Sequence, residues 1–127
     1  MPYDTDLVCD LSHAPDSLEE RLAAYRRLFT ALRARTSRER GFRFEFDAET
    51  LDRGLLDVLA ERERACCPFL LSEVVEAEGA VWWDLAVDRD EARLFLQALH
   101  DLPEQLTADA AHLDAFVRGV PIRLRSP

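Results

Sequence analysis

The chain has 127 residues, enough for one domain with one core, and its 48% apolar and 32% charged content is that of a folded globular protein. A net charge of −9 argues against a nucleic-acid surface, which needs a basic stripe to neutralise phosphates. All sixteen basic residues are arginine, which excludes lysine Schiff-base chemistry and a phosphate-loop lysine.

No apolar run approaches the roughly 18 residues of a membrane span. The first residues, MPYDTDLV, lack the basic-then-apolar pattern of a secretory signal. The expectation is a cytoplasmic protein without a membrane partner. There thiols stay reduced, and three cysteines serve metal binding, redox chemistry or burial rather than a disulfide framework.

Residues 1–16 read as irregular. Ser17 opens a helix, with Glu20 completing a capping box, and Leu18, Leu22, Tyr25, Phe29 and Leu32 carry one apolar face through about Arg35. Thr36 to Gly41 is polar and reads as a connection. Phe42, Phe44 and Phe46 then alternate with Arg43 and Glu45, the pattern of a half-buried strand. Asp47 is the expected N-cap of a helix over 48–66, with Leu51, Leu55, Val58, Leu59 and Cys66 on its apolar face. Pro68 ends that helix at the Cys66–Cys67 pair.

FLLSEVVEA (69–77) and AVWWDLAV (80–87) read as a hairpin relieved by Gly79, with Val81, Trp83, Leu85 and Val87 facing the core. A helix follows from about Asp90 to His100, closed by Pro103. Thr107 caps a last helix to about Arg118, stopped by Gly119 and Pro121. The order α-β-α-β-β-α-α implies a single α+β domain over 1–127: a small antiparallel sheet of about three strands with helices on one face.

The chemistry-bearing feature is ERERACCPFLL, residues 61–71. Neighbours on a helix point about 100° apart, but at a helix end before proline Cys66 and Cys67 can converge. A disulfide between them would be strained and easily reduced. The negative end of the helix raises a thiol's pKa, and Arg62 and Arg64, one turn back, would offset it. Against chemistry stands packing: free cysteine is among the most buried residue types.

The motif Glu63-Arg64-x-Cys66-Cys67-Pro68-Phe69-Leu70 resembles that of a family of short bacterial proteins. Cys9 in VCDLS, the aromatic strand GFRFEF and the Trp strand VWWDLAV extend the resemblance over about residues 7–100; residues 101–127 depart from the family pattern. Similar Cys-Cys-Pro-Phe segments occur attached to mercury-responsive-type regulators, and that association implies soft metals. If Cys9, Cys66 and Cys67 converge, their thiolates select Hg(II), Cu(I), Zn(II) or trivalent arsenic. Glu63 would be an oxygen ligand, a base, or by default a surface acid.

Three readings follow. The first is a soft-metal or metalloid binding protein using Cys66, Cys67 and Cys9 in resistance, buffering or delivery. The second is an enzyme with a cysteine nucleophile or an organometal-cleaving thiolate site, Asp10 or Glu63 supplying the proton. The third is an interaction module with structural cysteines. His13, His100 and His112 show no zinc-motif spacing, although His13 lies four residues from Cys9. Trp82, on the strand face opposite Trp83, suits a homodimer contact, a pocket wall or a cross-strand partner for a phenylalanine, unless the last helix covers it.

Overall fold

A computed structural model describes residues 8–10, 16–120 and 123–125, the first and last of these as backbone. The fold is α+β. Its elements are β1 (Val8–Asp10), α1 (Leu18–Leu28), β2 (Leu32–Arg38), β3 (Gly41–Asp47), α2 (Arg53–Cys66), β4 (Leu70–Ala77), β5 (Ala80–Val87), α3 (Arg93–Gln105), α4 (Ala110–Gly119) and β6 (Arg123–Arg125). Four strands form an antiparallel sheet in the order β2-β3-β5-β4, and β1 pairs in parallel with β6. Among the described residues no helix is long and apolar enough to cross a membrane.

The main sheet has four strands rather than three because the first helix stops early. It ends at Leu28, passes through a 3₁₀ turn over Phe29–Ala31, and becomes β2. The helical spacing that ran on to Leu32 was carried by residues that pack in both settings: Phe29 in the turn and Leu32 at the start of the strand both lie against the core. The expected polar connection is the end of β2 and a tight turn, with Arg40 at φ 61° closing onto Gly41. At Gly41 a Cβ would stand 2.0 Å from the Leu85 carbonyl oxygen, so only glycine admits this approach of β3 to β5.

Two other helix starts move because a different residue caps them, and one helix end moves past a proline. The Ser17–Glu20 capping box forms as expected. Asp47, however, accepts from the Glu49 N–H in a turn, and Asp52 caps α2 by accepting from the Leu55 N–H. Asp109 rather than Thr107 caps α4, accepting from the His112 N–H. Pro103 does not close α3; the helix carries it in its last turns and continues to bury Leu102 and Leu106.

One sheet face holds the core. Phe42, Phe44 and Phe46 of β3 and Val81, Trp83, Leu85 and Val87 of β5 are all buried there, with Phe44 paired to Trp83 across the strands. Tyr25 and Leu28 of α1, Leu56 and Leu59 of α2, and Phe95 and Leu96 of α3 close over them. The opposite face satisfies itself: Arg43 stacks 3.8 Å from the Trp82 ring and bonds Asp84, while the Trp82 N–H donates to Glu45. Trp82 is thus covered from its own sheet. The last helix does not cover it, since α4 packs with α3 on the helical side.

Candidate thiolate site

The site forms where α2 turns into β4. Helix α2 buries Leu56, Leu59, Ala60, Glu63 and Cys66, the i, i+3, i+4, i+7, i+10 stripe. This register differs from the expected one: Val58 is exposed and Glu63 is 5% exposed, so Glu63 is not a surface acid. Cys67 caps the helix, its N–H donating to the Glu63 carbonyl at 2.9 Å. Its own carbonyl then accepts from the Leu70 N–H at 2.9 Å, a β-turn with Pro68 second, where proline's fixed φ is favoured. Phe69 packs edge-on to Phe95 and pins the turn to α3.

This turn brings the sulfurs of Cys66 and Cys67 to 3.3 Å, with Cys66 5% and Cys67 1% exposed. The Glu63 carboxylate and the two sulfurs offer ligand atoms within 4.8 Å of one another, close enough to meet at one ion. Cys66 is a free thiol. Cys67 is engaged in a disulfide, which corrects the expectation of reduced thiols throughout.

Arg21 of α1 organises the cluster. Its guanidinium donates two hydrogen bonds to Asp16, each 3.0 Å, one to Glu63 at 3.0 Å and one to the Cys66 sulfur at 3.3 Å. Burial works against its charge, but Asp16, Glu63 and Cys66 raise its pKa, so it stays protonated. The bond from Arg21 holds the Asp16 carboxyl below its ordinary range. Burial pushes Glu63 up, because Arg21 is shared and offsets the desolvation only in part. Burial and the nearby Glu63 charge push the Cys66 thiol up to about 11, with Arg21 opposing them.

The arginines expected to act on the thiols do not. Arg62 joins Asp16 at 3.3 Å and Arg64 pairs with Glu61. Arg21 was missed, although its signal was present: it sits on the apolar stripe Leu18, Arg21, Leu22, Tyr25 of α1, where a charge needs a buried partner. Cys9 and Asp10 lie on β1, whose backbone runs beside α2; their side chains, like His13, lie outside the described residues. His100 is not at a helix end, because α3 runs on to Gln105; it bonds Asp101 at 2.9 Å and meets the Phe42 ring edge-on. His112 lies in the first turn of α4, beside its N-cap Asp109. The chain matches no family model, no curated protein and no solved structure.

Proposed function

We propose that Glu63, Cys66 and Cys67 form a thiolate site for a soft metal or metalloid ion, with Cys9 as a third sulfur, in a protein of metal resistance, buffering or delivery. The observation that carries this reading is two buried sulfurs 3.3 Å apart with a buried carboxylate beside them. Soft sulfur donors in a dry pocket favour thiophilic ions over hard ones. The raised Cys66 thiol argues against the nucleophilic enzyme, which needs a ready thiolate.

The disulfide at Cys67 makes the site conditional. A cellular thiol reductant must open it: two reductant thiols become one disulfide, and the protein gains two thiols. An ion then displaces the thiol protons as it binds.

Native mass spectrometry of the full chain, reduced and oxidised, with Hg(II), Cu(I), Zn(II) or arsenite in excess glutathione, tests this. The expected result is a one-ion adduct of the reduced protein that survives the competing monothiol and disappears in Cys66→Ser and Cys67→Ser. Absence of any adduct beyond what glutathione removes would end the reading.

A further inference from the structure

Cys66 and Cys67 are neighbours in different oxidation states: Cys66 is a free thiol, and Cys67 is held in a disulfide. The 3.3 Å between their sulfurs is therefore the distance from a thiol to a disulfide sulfur. A thiol opens a disulfide by attacking one of its sulfurs, and reacting atoms about 3–3.5 Å apart are within near-attack range. The approach is set by the main chain. Cys66 ends α2, and the Cys67 N–H and carbonyl are both bonded on either side of the turn.

The surroundings supply the rest of the step. An Arg21 N–H donates to the Cys66 sulfur at 3.3 Å, which favours its thiolate. The Glu63 carboxylate lies within 4.8 Å of both sulfurs, buried and held by Arg21 and by the Tyr25 hydroxyl, where a base for the thiol proton is needed. The raised Cys66 thiol leaves only about one molecule in ten thousand ionised at pH 7, which disables it toward a dilute external substrate. Toward a sulfur already beside it the effective concentration reaches about 10⁵ M or more, which outweighs that deficit.

We propose that Cys66 is the internal nucleophile that opens the Cys67 disulfide, moving the sulfur–sulfur bond onto the Cys66–Cys67 pair and releasing the former partner of Cys67 as a thiol. This rests on the thiolate-site reading for its purpose and names how the oxidised site is opened. The Cys66 thiol gives its proton to Glu63, and its sulfur bonds to the Cys67 sulfur as the bond from Cys67 to its partner breaks. The partner leaves as a thiolate and takes the proton from Glu63. One sulfur is oxidised and one reduced, so the step consumes neither oxidant nor reductant. Cys67 is 1% exposed, which blocks direct attack from solvent. With the partner released, the covalent tie at the junction is gone, and the strained bond between neighbouring cysteines is easily reduced. A dithiol reductant then closes to its own disulfide and leaves Cys66 and Cys67 as thiols.

Trapping in the oxidised full chain tests this, with N-ethylmaleimide and no reductant, followed by cleavage at arginine. Cutting after Arg64 and Arg89 leaves both cysteines in one peptide, 65–89. The expected product is that peptide unlabelled, free of any cross-link to another peptide, and lighter than its reduced form by the mass of two hydrogens. It accumulates because the alkylated partner thiol can no longer return. In a second arm, Cys66→Ser should slow the loss of the Cys67 disulfide in dithiothreitol by roughly tenfold or more. If Cys66→Ser fails to fold, the trapped peptide of the unaltered chain decides alone. Maleimide found only on Cys66 with the Cys67 disulfide intact, or reduction of Cys66→Ser at the parent's rate, overturns the internal exchange. Ion uptake by the fully reduced parent is read separately. An adduct without the trapped peptide leaves the thiolate site standing, and the trapped peptide without an adduct leaves the exchange standing and removes the metal reading.

Discussion

Arg21 and Cys66, 45 residues apart, meet at 3.3 Å, guanidinium N–H to sulfur, in the buried seam between α1 and α2. The same guanidinium serves Asp16 and Glu63, so one side chain holds two carboxylates and a thiol in place. Arg21→Leu should therefore leave buried charge unpaired and cost about 3–5 kcal/mol of stability, read by urea denaturation. Arg21→Lys should recover only part of it, since a point charge cannot fork between Asp16 and Glu63. A loss below about 1 kcal/mol for Arg21→Leu would mean that the buried network contributes little.

The Cys66 thiol, at about 11 against an ordinary 9.0, should be slow to alkylate. Its rate with iodoacetamide, followed by peptide mass mapping, should climb about tenfold per pH unit at least to pH 10. Glu63→Gln removes a nearby negative charge and should move the profile to lower pH. The sign for stability follows: the folded value is raised, so this contribution is present below 9 and is lost as pH climbs through about 11. A profile that levels off near pH 8 would contradict the burial argument.

On the acid side Asp16 and Glu63 oppose each other. Asp16 is held below its ordinary 3.8 by the Arg21 hydrogen bond, so its stabilisation is present above 3.8 and is lost as pH falls through the folded value. Glu63 is raised above 4.5 by burial, so protonating it as pH falls relieves a cost. Thermal melts from pH 2 to 6 should show Asp16→Asn less stable at pH 6 and flatter below pH 4 than the parent. Parallel curves for the two proteins would remove Asp16 from the network.

Gly41 and Gly119 make a matched pair of tests. Gly41→Ala drives a Cβ to 2.0 Å from the Leu85 carbonyl oxygen, so the β3–β5 ladder must shift, at a cost of about 3 kcal/mol. At Gly119 a Cβ meets nothing within 4 Å, and Gly119→Ala should be neutral or stabilise α4 by up to about 1 kcal/mol. Comparable melting temperatures for the two variants would show that the β3–β5 approach tolerates a methyl group.

What was legible in the residues was local. The alternation Phe42-Phe44-Phe46, the Gly79 turn at φ 72°, the Ser17–Glu20 cap and the break at Pro68 each depend on neighbours a few positions away, and each stands in the fold. The helix-to-strand change after Leu28 was not legible, because Phe29 and Leu32 fit a helical stripe and a sheet edge equally well. Nor was the buried ion network: Arg21 and Glu63 lie 42 positions apart, and only the packing of α1 on α2 makes partners of them. The cysteine pair was found, but its separation depends on a turn whose geometry no pattern of residue types specifies.

That turn has a consequence for the selectivity of the proposed site. Cys67 closes α2 with its N–H and opens the turn with its carbonyl, so both of its main-chain groups are committed before any ligand arrives. Its sulfur hangs from a backbone without slack, and the neighbouring sulfur is fixed by the helix below and by Arg21. If the reduced pair holds an ion, as proposed, discrimination at such a junction would work through atomic radius and bond angle, as in a rigid chelator.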